Sequence, residues 1–258
     1  MIKNFQTSER VSPTNLSDNF VFQRSLLAYK LAANIVNGVV LEIGTGEGYG
    51  VFEISPEAEF FITIDKKRKQ INQLPSNVLS LEMEVPKLDG ISNNSIDYVI
   101  SFQVIEHIKN DKELINEIHR VLKIGGKLII STPNKIKSLT RNPWHIREYT
   151  SFEFEKLLKE KFNNIEKLGI IGNEKINSYY HENRVAIKKI KRFDVFNFMD
   201  ILPRKIILLP YDVLNRLNRL KLLKTNFSLC SNIKIDDYFL KDVCDDCFDL
   251  FFIAEKTK

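Results

Sequence analysis

A chain of 258 residues, 43% apolar and 28% charged, has the size and composition of an ordinary globular protein that buries a full core. It lacks the run of about 18 apolar residues that a spanning helix needs, and its first residues lack the apolar stretch of a secretory signal. Its three cysteines are too few for a disulfide framework, so the expected compartment is the cytoplasm. The net charge of +5 could attract a phosphorylated partner or merely reflect a chain rich in Lys, Asn and Ile. The blander reading is preferred, and no nucleic-acid partner is expected.

Residues 22–36 read as a helix laid over a sheet. VVLEIG (39–44) and FFITID (60–65) are short apolar runs of the kind that form buried strands, and a weaker one lies near 78–83. IDYVISF (96–102) and KLIISTP (127–133) follow. Between them Leu114, Ile115, Ile118, Val121 and Leu122 keep helical spacing, with Gly125–Gly126 as the expected stop. Thr150 is placed to cap a helix over SFEFEKLLKEKF, before the strands NIEKLGIIG (164–172) and FDLFFIAEK (248–256). Strands alternating with helices imply right-handed crossovers and a parallel sheet. Some 75 residues separate the last two strands, too many for a loop, and 203–223 within them is apolar and helix-compatible. The expected organisation is a core at 1–173 with an N-terminal helical lid, an inserted cap at 174–246 and a final core strand at 247–258.

The string LEIGTGEGYG (41–50) carries the first chemistry. Gly44, Gly46 and Gly48 let the backbone turn sharply and approach a ligand with no Cβ in the way. Asp65 closes the next strand 21 residues after Gly44, where a carboxylate can accept both hydroxyls of a ribose. A dinucleotide site would carry a third glycine at the position of Tyr49 and would avoid the negative charge of Glu47. With Glu42 just below, the acidic turn favours a cationic cofactor such as S-adenosylmethionine. An NAD-dependent oxidoreductase is the alternative from another class, and a cofactor-binding protein without turnover is a third reading.

LEIGTGEGYG, Asp65, NNSIDYVISFQVIEHI (93–108) and HRVLKIGGKLIISTPN (119–134) together resemble class I, Rossmann-like S-adenosylmethionine-dependent methyltransferases. With NPWHIREYTSFEFEKLL (142–158), the likeness is to the branch of ubiquinone-biosynthesis O-methyltransferases and surface-glycan cluster methyltransferases. It covers about residues 38–172 and the final strand. It implies an α/β, doubly wound, mostly parallel seven-stranded sheet with an antiparallel last strand, here carrying a helical inserted cap. It also implies that Gly44, Gly46 and Gly48 pass under the methionine part of the cofactor and that Glu42 holds its amino group. Asp65 would take the ribose, with Lys66 beside it. Met83, Glu84 and Val85 would flank the adenine, and Phe102 and Gln103 would sit by the transferable methyl. The expected reaction is methylation of a hydroxyl on a small molecule or glycan.

Such an acceptor needs a base or a metal. QVIEH (103–107) and PWHIREY (143–149) each follow the carboxyl end of a strand expected to neighbour the other. Glu106, His107 and His145 are therefore the candidate catalytic residues and the candidate ligands of a divalent cation such as Mg. The metal sites they resemble carry a further carboxylate where this chain has Gln103. Each residue also has a plainer role open to it, as a cap or a packed side chain. Arg147 could clamp an anionic acceptor group or form an ordinary ion pair. Cys244 and Cys247 read as two unconnected thiols beside an acidic turn. RVAIKKIKRF (184–193), with Val195, Phe196, Phe198, Met199, Ile201 and Leu202 after it, could touch a membrane surface or a lipid-linked substrate. The preferred alternative is an amphipathic helix packed on the core.

Overall fold

The computed structural model describes residues 11, 14–67, 71, 73–192, 194 and 198–258. Phe193, Val195 and Phe196 of the basic–apolar run lie outside the described residues, as do positions 1–10 and the side chain of Met199. The chain forms two compact units. A sheet unit holds Ser25–Lys137, Ile146–Ile171 and Leu240–Lys258. A helical unit holds residues through Arg24, Ser138–His145 and Gly172–Phe239.

In the sheet, β1 (Val39–Ile43), β2 (Phe60–Asp65), β3 (Val78–Glu82), β4 (Ile96–Phe102) and β5 (Leu122–Pro133) run parallel. With β6 (Asn164–Gly172), β7 (Tyr238–Asp242) and β8 (Asp249–Glu255) the order is β3-β2-β1-β4-β5-β8-β6-β7. β8 is antiparallel to both β5 and β6. The chain leaves β1 toward β2 and β3, then returns to add β4 on the other side. That reversal puts the switch point of the sheet at the carboxyl ends of β1 and β4, where sheets of this kind bind ligands.

Strands covered on both faces need apolar residues throughout, and β-branched ones pack best there. Leu41, Val99, Leu128, Ile130 and Phe252 are accordingly buried in one core. The seven strands read from the sequence are present. The eighth, β7, falls inside 174–246, which the sequence reading gave wholly to a cap. YFLKD is a strand of only five residues at the sheet edge, too short to show a period inside a long helix-compatible stretch.

α1 (Asn19–Ala33) begins in the helical unit and ends in the sheet unit. α2 (Tyr49–Ile54) follows the glycine turn, and α3 (Asp111–Val121) buries Leu114, Ile115, Ile118 and Val121. α3 stops at Val121 rather than at Gly125–Gly126, because Leu122 is already extended. Its last carbonyls are held by Lys256, whose Nζ donates to the carbonyls of His119 and Leu122, each at 2.8 Å. A cation at a helix C-terminus also complements the helix dipole. α4 (Ser151–Leu158) starts at the expected Thr150, which forms a capping box with Glu153.

The helical unit contains α5 (Glu174–Lys191), α6 (Phe198–Ile201), α7 (Arg204–Thr225) and α8 (Phe227–Ser231). Phe20 stacks on Tyr179 at 4.4 Å between ring centroids, and the Tyr238 hydroxyl donates to the Phe20 carbonyl at 2.6 Å. Asp18 is fully buried and accepts from both Arg216 and Arg219 at 3.0 Å, so this charge is paired inside the unit. Among the described residues, no helix is long and apolar enough to cross a membrane.

Candidate functional site

At the end of β1 the backbone makes the turn that the glycine spacing predicts. Gly44, Gly46 and Gly48 all have positive φ, at 94°, 54° and 83°, a region costly for side-chain-bearing residues. A Cβ on Gly44 would lie 2.4 Å from Val104 Cγ2, and one on Gly48 would lie 2.8 Å from Ile71 Cδ1. At Gly46 the nearest atom is the Gly44 carbonyl at 4.0 Å, so the turn's apex faces open space. The Asp65 carboxylate accepts from the Gly46 N–H at 3.0 Å and the Lys67 N–H at 3.2 Å. Asp65 thus pins the turn while remaining partly exposed, and Lys66 beside it is exposed.

Glu42 points into the protein below this turn and is buried. It accepts from the Tyr29 hydroxyl at 2.8 Å and from the Thr63 hydroxyl, which in turn contacts Thr45 Oγ1 at 2.5 Å. Burial pushes the Glu42 carboxyl up from the usual carboxylate range to about 7, against the stabilising pull of those two hydroxyls. A half-neutral buried acid is well suited to a cationic ligand, whose arrival would favour the ionised form. The same burial, with the nearby Glu42 charge, holds the Tyr29 hydroxyl well above its ordinary value. Tyr29, like Thr63, is a partner of Glu42 that sequence reasoning missed. Its ring lies edge-on to Phe102 at 4.9 Å and leaves no room for a Cβ on Gly50, which would sit 2.1 Å from Cε1. Gly50, two residues past the motif, was the available signal.

Met83 donates its N–H to the Asp65 carbonyl at 2.9 Å, which brings Met83, Glu84 and Val85 beside the end of β2. Phe102 is buried at the end of β4, against Tyr29 and, at 6.0 Å between centroids, Phe251. Gln103 follows with a φ of 56°, rare for a residue bearing a side chain, and its N–H donates to the Ser131 carbonyl at 3.0 Å. Strained backbone of this sort clusters at functional sites.

Glu106 and His107 lie on a single 3-10 turn, Ile105–His107. The buried Glu106 carboxylate accepts from Thr132 Oγ1 at 3.0 Å, and an oxygen of it lies within 4.8 Å of a His107 ring nitrogen. The Glu106 carbonyl accepts from the N–H groups of Ile146, at 2.7 Å, and Arg147, at 3.3 Å. His145 is joined to Ile146 by the peptide bond at which the chain passes between the units. Within its own loop, Asn142 Nδ2 meets His145 Nε2 at 2.9 Å and Asn142 Oδ1 accepts from the Trp144 N–H at 3.1 Å. Asn142 therefore fixes the His145 ring, a role visible in the sequence only as an Asn three residues before a His.

One expectation changes and one open reading gains a partner. Arg147 pairs with the buried Asp111, which also accepts from the Tyr149 hydroxyl at 2.8 Å, and donates to the Lys109 carbonyl at 2.9 Å. These bonds give Arg147 the ion pair that was one of its two readings, and they brace its loop. Cys244 and Cys247 are not unconnected: a tight turn, closed by the Cys247 N–H on the Cys244 carbonyl, sets their Sγ atoms 3.5 Å apart as free thiols. Burial pushes the Cys247 thiol up to about 11.

A family described as a methyltransferase domain matches residues 36–189, more than half of the chain. A probable S-adenosylmethionine-dependent methyltransferase of Mycolicibacterium smegmatis is 33% identical over 165 residues, covering 59% of this chain and 63% of the relative. A protein of the same description in Mycobacterium tuberculosis is 34% identical over 164 residues, with 59% and 58% covered. The chain thus aligns with less than two thirds of the length of these curated relatives. Among solved structures, the 4+2 cyclase SpnF superposes with a TM-score of 0.55 at 15% identity, over 91% of this chain and 82% of the other. At that identity the likeness speaks for the fold alone.

Proposed function

This chain belongs to the class I S-adenosylmethionine-dependent methyltransferase family, and from that premise we propose that it moves the cofactor's methyl group to a hydroxyl of a small molecule or glycan in the cytoplasm. The observation that carries the reading is the acidic glycine turn. Three positive-φ glycines, Asp65 on the Gly46 N–H and the buried Glu42 together make an acidic turn that suits a cation better than a pyrophosphate. The NAD-dependent alternative is set aside by the family match.

In this reading Asp65 accepts the two ribose hydroxyls, with Lys66 alongside, and Met83, Glu84 and Val85 border the adenine. Glu42 attracts the ammonium group. Phe102 and the strained Gln103 border the methyl, which the bound cofactor supplies as an electrophile on a sulfonium leaving group. The protein's main contribution is alignment, holding the acceptor oxygen about 3 Å from the methyl in line with the breaking bond.

Glu106, His107 and His145 would handle the acceptor's proton. Two imidazoles and a carboxylate suit a borderline divalent ion better than Mg, which prefers oxygen ligands, and such an ion would acidify a bound hydroxyl. Without an ion, one imidazole serves as general base. The anchoring of Ile146 on the Glu106 carbonyl, one residue from His145, supports the grouping. Residues 174–246 would choose the acceptor, and their basic start would give weak contact with a membrane surface or a lipid-linked substrate. The family match ends at 189, so most of that segment lies beyond the matched residues.

The test is transfer of labelled methyl from S-adenosylmethionine into a cell-extract acceptor library. Label on a hydroxyl, lost in single alanine variants of Glu106, His107 and His145, supports the proposal. Equal losses with sensitivity to chelators assign the ion, because groups acting as a unit fail together. Cofactor binding with no transfer to any acceptor would leave only a cofactor-binding protein.

A further inference from the structure

α7 turns an apolar stripe outward. Ile206, Leu209, Val213, Leu217 and Leu220 are exposed at intervals of three or four residues, so they share one face, about 20 Å long at 1.5 Å per residue. Leu209 is 66% exposed and Ile201, just before α7, is 72% exposed. Phe198 and Phe227 extend the apolar surface at either end. Ile207, Asn218 and Leu222 on the opposite face are buried in the unit's own core, so α7 is already packed without the stripe.

The charges on α7 and at the end of α5 are mostly basic. Exposed Lys205, Lys221 and Lys224 border it, and α5 ends in exposed Lys188, Lys189 and Lys191. Residues 184–227 hold eleven Lys and Arg against three Asp, a net +8, of which Arg216 and Arg219 are paired with the buried Asp18. The one acid on α7, Asp212, is buried and accepts from Trp144 Nε1 at 3.0 Å.

We propose that this face docks in the plane of an anionic lipid bilayer, with the stripe among the upper acyl chains and the lysines at the headgroups. Large exposed apolar patches mark interaction sites, and a helix with an apolar face and lysine borders is the form that an interfacial helix takes. Lysine stems can lie along the apolar boundary while their charges reach the phosphates. A second copy of the chain would bring the same positive charge against itself. The proposal deepens the reading of a lipid-linked acceptor, but its test needs neither acceptor nor turnover, so either can fail alone.

The experiment is co-sedimentation of the full chain with phosphatidylcholine vesicles, with and without phosphatidylglycerol, at low and high salt. Binding should require the anionic lipid and weaken at least about tenfold at high salt. Leu209→Glu with Leu217→Glu should reduce binding to a similar extent, with Trp144 fluorescence and S-adenosylmethionine affinity unchanged. Should that pair disturb folding, Lys205→Glu with Lys221→Glu and Lys224→Glu provides the same test on exposed charges. Absence of wild-type binding to anionic vesicles at low salt overturns the proposal. So does a dimer by light scattering that Leu209→Glu dissolves, since the stripe would then be covered by a second copy.

Discussion

The turn after β1 and the outward face of α7 constrain their residues in different ways. In the turn, backbone geometry dictates identity: three positive φ angles demand glycine, and Val104 and Ile71 fill the space a side chain would need at two of them. On α7 only period and charge are fixed, and any large apolar residue would serve at Leu209 or Leu217. Substitutions should therefore cost much in the first region and little in the second.

The largest effect is expected at Gly44. Gly44→Ala adds a Cβ 2.4 Å from Val104 at a φ of 94°, which should weaken cofactor binding by about a hundredfold through strain and displacement of the turn. Gly46→Ala meets no neighbour and should cost only the strained φ, about 1 kcal/mol. Equal losses at the two positions, measured by calorimetry, would contradict this account of the turn.

Glu42 gives an effect of similar size that depends on pH. Its folded-state value of about 7 lies above the ordinary 4.5, so the folded chain holds this proton more tightly than the unfolded one. The resulting stabilisation is complete below the ordinary value and is lost as pH rises from there to about 7, on the order of 3 kcal/mol in all. Melting of the cofactor-free protein should show that decline in the wild type and not in Glu42→Gln. Affinity for the cationic cofactor should move the other way, rising through pH 7 in the wild type and staying flat in the variant.

Asp65→Ala should cost about 1–3 kcal/mol of cofactor affinity, since it removes charge-assisted hydrogen bonds to the ribose as well as the support of Gly46. Arg147→Ala should destabilise the fold by about 1–3 kcal/mol, because it leaves Asp111 buried with less compensation. The acceptor KM should not change, whereas an anion clamp would raise it. Smallest of all, the exposed substitutions on α7 should alter stability by no more than about 0.5 kcal/mol in water.

What could be read from the sequence follows the same division. The strands that end at Ile43, Asp65 and Phe102 were legible because doubly covered strands are apolar throughout and glycines mark the turn. Thr150 was legible because a capping box has a fixed spacing. β7 escaped because its five residues are too few to set a period of their own, and the stop of α3 was misplaced because Lys256, far along the chain, holds the helix end. Tyr29 and Thr63 escaped for a related reason: their role is to satisfy a carboxylate on another element, and no local pattern records such a partner. The thiols of Cys244 and Cys247 were misjudged because their contact depends on how tightly the turn closes.

The central claim is that the turn, Glu42 and Asp65 form a seat for S-adenosylmethionine. Calorimetric titration of the purified chain with that cofactor, with its demethylated product and with NAD tests it most directly. The account predicts saturable one-site binding of the first two in the micromolar range and no measurable binding of NAD. Tighter binding of NAD, or S-adenosylmethionine affinity unchanged in Asp65→Ala, would contradict it.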